Sequence, residues 1–435
     1  MDKINNNDTS FSFEQQNQKP LLPLSTQKTP SGLASTIYLS LIFMILFSAF
    51  NTAQNMLSQI YSQKLNLPYL GNLTLIVAYF SFSISNFFIG KILEFISFKR
   101  GMFLASWGYV LFLAVGATAC SCEENPDKFI CSESWLVGIN VFFALALGPL
   151  ACMLWVSQIG YVSGSCDENS KNKFFGVFYA LYELSQFLGS VVSAIVLQYF
   201  NHFGYFIILF GMSLVSTLMF TLLPNVEKTP EQRRKKPLAE KIKDFVDCLK
   251  KEEVQLFSCL CTFSGVVIGL YSGYFHKIIS QSIRTEDDYV INQHTAYVFI
   301  CLGLFEFIGG MLSSYFGDKI NKYVMATGAT LILEVGLFFT LVAYYEKSYF
   351  ICFLAAGCWG MGDSILNSNI TAILTTHLGN KIEYFAVFIL WQEIGILIAL
   401  IFSLGLEGYS QAFYFIFFSF FFVVANISII LMKKK

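Results

Sequence analysis

Charge is what this sequence has least of. Only 13% of its 435 residues are Asp, Glu, Lys or Arg, against 55% hydrophobic, and the mean hydropathy is +0.58. Ordinary soluble domains carry about a quarter charged residues, so a water-facing globule is excluded. Histidine is scarce as well. The four present, beside eleven cysteines with no CxxC pair, give no spacing of a metal site. No nucleotide-binding glycine loop or catalytic-triad signature stands out, so an enzyme is not expected and no cofactor is implied. A net charge of −1 leaves no basic excess for nucleic acid. The first 32 residues, rich in Asn, Gln, Ser, Thr and Pro, lack the layout of a cleavable signal peptide, so the first apolar segment is expected to act as its own membrane signal.

What is present is apolar length. A spanning helix needs about 20 mostly apolar residues, and twelve such runs are expected near 33–57, 69–97, 101–120, 135–161, 174–199, 204–223, 254–279, 295–316, 323–345, 349–375, 383–405 and 410–431. The lipid bilayer is therefore the chief partner. With the N-terminus inside, 23 of the 28 Lys and Arg fall on one side. Cytoplasmic loops hoard positive charge, so both termini are expected to be cytoplasmic; plasma membrane and endolysosomal membrane are not distinguished. The division expected is a cytoplasmic tail (1–32), a six-helix half (33–223), a basic central loop (224–253), a second six-helix half (254–431) and a short tail (432–435). In the central loop Leu238, Ile242, Phe245, Val246 and Leu249 recur at helical spacing among lysines, which suits either a short amphipathic helix on the cytoplasmic leaflet or a solvated linker.

The halves resemble each other. "FFGVFYALYE", ending at Glu183, aligns with "YFAVFILWQE", ending at Glu393, at an offset of 210. "GPLACMLWVSQ" aligns with the segment around "WGMGDSILNSN" at an offset of 209, setting Gly148 on Gly357 and Gln158 on Asn367. Such internal repeats mark transporter folds, and the expected class is an all-α polytopic bundle of two pseudo-symmetric six-helix halves around a central cavity.

A charge at the bilayer centre costs upwards of about 2.5 kcal/mol. The span-embedded acids Glu183, Glu306, Glu334, Asp363 and Glu393 have no basic partner at similar depth in the sequence. They are either protonated and hydrogen-bonded or placed to hold a cation or proton; Glu183, Glu306 and Glu393 are the candidates for that role, while Glu334 sits in a span expected at the periphery. Asn51, Gln54 and Asn55 share one helix face, as do Asp363 and Asn367. With Trp155 and Gln158 they are the candidate cavity lining; single amides are otherwise often interhelical glue. Cys120, Cys122 and Cys131 cluster between spans three and four, where a disulfide fits an oxidising compartment and one thiol is left over. The glycosylation pattern at Asn72 lies too near the bilayer to weigh heavily, and "KPLLPLS" reads as a Pro-rich tail string before a sorting signal.

The segments "SAFNTAQNMLSQI", "LPYLGNLTLIVAYFSFSISNFF", "ALGPLACMLWVSQIGYV", "FFGVFYALYELSQFLGSVVS", "GCWGMGDSILNSNITAIL" and "FAVFILWQEIGILIA" resemble the Unc-ninety-three-like family, an atypical branch of the major facilitator superfamily. The resemblance implies the twelve-helix facilitator fold. For function it implies a role in potassium-channel regulation or ion homeostasis, or in escorting a membrane receptor without transport; the span-embedded acids point instead to moving a small solute or cation by alternating access.

Overall fold

The structure is a computed structural model. It describes residues 32–65, 67–123, 127–166, 171–227, 236–285, 287–317, 319–374, 378, 381–405 and 412–434. The N-terminal tail with its "KPLLPLS" string lies outside them except for Gly32.

The described residues are helical almost throughout, as an apolar chain in lipid must be: every backbone N–H and C=O needs an internal partner where there is no water. The helices are α1 (Gly32–Leu65), α2 (Leu70–Phe95), α3 (Phe98–Cys120), α4 (Glu133–Gly164), α5 (Lys171–Tyr199) and α6 (His202–Met219) in the first half, then α7 (Leu238–Leu249). The second half holds α8 (Glu252–Leu270), α9 (His276–Ser282), α10 (Asp288–Phe316), α11 (Lys322–Glu346), α12 (Tyr349–Ile373), α13 (Ile382–Gly405) and α14 (Ala412–Lys434). A π turn at Tyr271–Phe275 joins α8 to α9 in one rod, so twelve segments among the described residues are long and apolar enough to cross a membrane. Side chains cap several starts: Asn201 Oδ1 accepts from Gly204 N at 2.8 Å, and Asn321 Oδ1 from Tyr323 N at 2.9 Å.

The halves repeat one packing scheme. In the first, α1 packs on α5 and α6, α2 on α4, and α3 on α4 and α6; in the second, α8 packs on α13 and α14, α10 on α12, and α11 on α12 and α14. The contacts across the halves form a matching pair, α5 with α10 and α2 with α13. Small residues permit these approaches, since lipid gives no hydrophobic drive between helices and close van der Waals contact must supply it. Gly303 of α10 lies against the backbone of Gln186 and Phe187 in α5, and Gly265 of α8 against the Gln392 carbonyl in α13. Gly148 of α4 meets Ser81 and Phe82 of α2; one residue on, Pro149 removes a backbone donor, and the Ser81 hydroxyl reaches the nearby Ala144 carbonyl.

On the face that carries the basic loops, α7 bridges the seam between the halves. Phe245 is buried against Phe87 of α2, ring centroids 5.1 Å apart, and the Lys241 ammonium stands 3.4 Å from Glu94 of α2 and 3.7 Å from Glu383 of α13. Glu94 is almost fully buried and also pairs with Lys91 at 2.8 Å. Nearby, Lys236 is held above its usual ammonium range by its hydrogen bonds to Asp244 and Glu240. Lys241→Ala removes the one cation shared by α2 and α13 in this cluster. With Lys91 still on Glu94, the expected loss is roughly 1–3 kcal/mol of local stability, read as faster hydrogen exchange of α7 amides; unchanged α7 exchange would show that the ion pairs do not hold it. On the opposite face, Cys122 is joined to Cys131, and Cys120 is a buried free thiol.

Candidate functional site

Between the halves, at mid-depth, lies a cavity of about 130 Å³. Helices α1, α2, α3, α4 and α5 form one side of its wall; α8 with the π turn, α10, α12 and α13 form the other. Helical spacing turns Asn51, Gln54 and Asn55 of α1 towards it together. Gln54 accepts a hydrogen bond from Tyr79 OH of α2 at 2.8 Å, and Asn51 bonds to Tyr182 of α5.

The opposite side is a polar chain. Asn367 Nδ2 donates to Asp363 Oδ1, one helical turn back, at 2.9 Å, while its Oδ1 accepts from Gln392 Nε2 and Ser264 Oγ, both at 2.8 Å. Tyr271 also hydrogen-bonds Asp363. Tyr271 is the first residue of the π turn, a local widening that recurs at functional sites because it re-aims side chains within an otherwise regular helix.

Charge is one-sided. Glu183, Glu306, Asp363 and Glu393 all lie on the wall, and among its described residues there is no Lys, Arg or His. Glu183, Glu306 and Asp363 are near enough to repel one another electrostatically. Glu393, at its counterpart position in the other half of the repeat, interacts with Tyr79, Tyr109 and Cys152. Oε2 of Glu306 and Oε2 of Glu393 are buried without a hydrogen-bond partner, as is Asn55 Nδ2. An acceptor left bare in a low-dielectric site is costly, so the arrangement can take up protons or a cation. No three His, Cys, Asp or Glu groups among the described residues gather as a metal site.

Of the residues singled out from sequence, Asn51, Gln54, Asn55, Trp155, Glu183, Glu306, Asp363, Asn367 and Glu393 stand on this wall. Gln158 does not, and that expectation is corrected: it is fully buried off the cavity with neither side-chain polar atom hydrogen-bonded. Its neighbours explain the packing, since Ser157 lies against Gly101 and Gly160 against Phe98, so α4 is closed onto α3 at this depth. Glu334 is also off the cavity and accepts from Ser419 Oγ of α14 at 2.8 Å. Asn72 accepts from Ser58 Oγ at 2.6 Å rather than standing free. Sequence reasoning missed Tyr79, Tyr109, Tyr182, Tyr271 and Gln392. Gln392 had a signal, an amide beside Glu393 in mid-span; the tyrosines had none in a chain holding 22 of them.

Comparison with known proteins agrees with this architecture. Residues 39–400 match the family model of the Major Facilitator Superfamily. The UNC93-like protein MFSD11 of Xenopus tropicalis is 25% identical, over 89% of this chain and 94% of its own length. UNC93-like protein 3 of Arabidopsis thaliana is 21% identical over 84% and 79%, and Protein unc-93 homolog A of Homo sapiens is 21% identical over 86% and 88%. Among solved structures, the Major Facilitator Superfamily transporter FucP in the outward conformation superposes with a TM-score of 0.64 at 15% identity, covering 93% of this chain and 99% of that one. A variant of the same protein, described as the E. coli fucose:proton symporter, matches equally well at 14% identity.

Proposed function

Since the chain belongs to the Major Facilitator Superfamily and its relatives are UNC93-like proteins, we propose that it moves a small cationic solute, or a solute together with a proton, across its membrane by alternating access. The observation that carries this reading is the charge imbalance of the cavity. Four acids and no base line a space between two halves, and two of the acids keep a bare oxygen. Glu334, off the cavity, also keeps a bare Oε2 beside its bond to Ser419 Oγ, so it is the gathering of four acids on one cavity wall, and not a bare oxygen alone, that supports the reading. Proton movement on the solved neighbour called a fucose:proton symporter belongs to that protein; here it supports only the idea that this fold can move a proton together with a solute.

In this reading Glu183 and Glu393, one from each half, take up and release the proton or cation. Asp363, oriented by Asn367 and Tyr271, holds the cargo's charge, and Asn51, Gln54 and Asn55 contact its polar end. The halves rock about the α5–α10 and α2–α13 contacts, with the α7 clasp on the basic, cytoplasmic face restraining one direction of opening. Both termini then lie in the cytoplasm.

The test is uptake into proteoliposomes made with the purified full chain, with an imposed proton gradient, with a potassium gradient, and with neither. The reading predicts accumulation of a cationic tracer, or acidification coupled to a solute, above that of empty vesicles. Accumulation no different from empty vesicles under every gradient would leave a non-transporting role, acting on a partner membrane protein, as the better account.

A further inference from the structure

We infer that the cavity's ligand is a small organic cation, an amine or quaternary ammonium with an apolar skin. This rests on the cation reading above and narrows it to one chemical class.

The first observation is the pair of buried, unpartnered acceptors. Both residues line the cavity, Glu306 2% exposed and Glu393 6% exposed, and in each Oε2 is buried without a hydrogen bond. The wall's amides, by contrast, are mostly engaged by neighbouring side chains, Gln54 with Tyr79, Asn367 with Asp363 and Gln392 with Asn367, with the Asn55 Nδ2 donor the exception. A neutral polyol needs donors and acceptors in comparable number. This wall offers chiefly acceptors that carry charge, and so selects a ligand that brings positive charge and few hydroxyls.

The second observation is aromatic. Ten of the residues around the cavity are Phe, Tyr or Trp. Several form a continuous panel: Trp155 lies 5.1 Å from Phe47 and 5.4 Å from Tyr182, edge to face with the latter, and Phe47 lies 5.3 Å from Tyr109. The acids are interleaved with this panel. Glu393 interacts with Tyr79 and Tyr109, while Glu183 and Glu306 interact with Tyr182. Ring faces attract cations through their quadrupole, most strongly once water has been removed, and cages of this type suit quaternary ammonium groups.

The third observation separates an organic from an inorganic ion. A calcium ion, for example, takes six to eight oxygen ligands at close range. Here the carboxylates are spread around the wall and no three gather for a metal ion among the described residues. A methylated ammonium needs no such shell; it touches rings on several sides and feels the acids at longer range.

The experiment uses the purified full chain in nanodiscs, with choline titrated by calorimetry. Its controls are 3,3-dimethyl-1-butanol, the neutral carbon isostere of choline, and potassium chloride at matched ionic strength. Choline is expected to bind at least tenfold more tightly than the neutral isostere, and potassium is not expected to displace it. Glu306→Gln and Trp155→Leu should each weaken choline at least tenfold, with Trp155→Phe retaining most of the binding as the check that the fold survives. The inference is overturned if the isostere binds as well as choline, if potassium displaces it, or if choline does not bind at all. If choline fails while potassium or protons move in vesicles, the ligand class is wrong and the transport reading stands. If choline binds and nothing moves, the ligand class stands and the transport reading falls.

Discussion

Changing Glu183 and Glu393 together to glutamine will bring gradient-driven uptake down to the level of empty vesicles, while the protein still inserts and melts within a few degrees of the parent. Each acid is buried at the cavity wall and neither meets a cation there. Glutamine keeps the shape and hydrogen-bonding reach of the acid but can take up neither proton nor cation. Removing a carboxyl from a low-dielectric site also removes the cost of any charge on it, so stability should hold or rise. Each single change is expected to slow uptake at least tenfold, because the acids stand at matching positions of the two halves and the proposed cycle uses both. Initial rates in proteoliposomes, read beside thermal unfolding in detergent, check this. Parent-like rates from the double variant would mean that the acids are packing elements.

The second large effect is structural. Gly303→Ala places a methyl group against the backbone of Gln186 and Phe187, where α10 of one half crosses α5 of the other. Backbone cannot swing aside as a flexible side chain can, so the helices must part. Overpacking of this kind costs about 1–3 kcal/mol, seen as a clear fall in the thermal unfolding midpoint, and the crossing is one of the two on which the halves are expected to rock. Gly211→Ala in α6 is the control: an added Cβ there meets nothing within 4 Å, and alanine improves helix propensity by up to about 1 kcal/mol. Equal midpoints for the two variants would remove the α5–α10 crossing from the account.

Much of the fold was legible because the bilayer leaves a sequence little choice. Spans follow from apolar length, and the twelve expected runs meet twelve helices. Span-embedded acids are expensive enough that their presence alone singled out five, of which Glu183, Glu306, Asp363 and Glu393 line the cavity while Glu334, expected at the periphery, lies off it against Ser419. What periodicity could not supply was rotation. Pairing Gln158 with Asn367 through the repeat sets their depth, yet Asn367 turns to the cavity while Gln158 is enclosed where α4 closes onto α3. Apart from Trp155, the aromatic panel was invisible for the same reason. In a chain with 47 Phe and 22 Tyr, a ring facing lipid and a ring facing the cavity look alike until the helices are oriented. The π turn at Tyr271–Phe275 left no trace either, since one extra residue per turn changes no composition. Among Cys120, Cys122 and Cys131, only three-dimensional proximity chose the pair Cys122–Cys131.

Alternating access is the claim on which transport depends, and hydrogen exchange of the native full chain in nanodiscs tests it most directly. The face bearing α7 and the face bearing the Cys122–Cys131 loop should respond to saturating choline in opposite senses, one gaining protection as the other loses it. Choline held in the cavity with exchange unchanged, or shifted in the same sense, at both faces would contradict it.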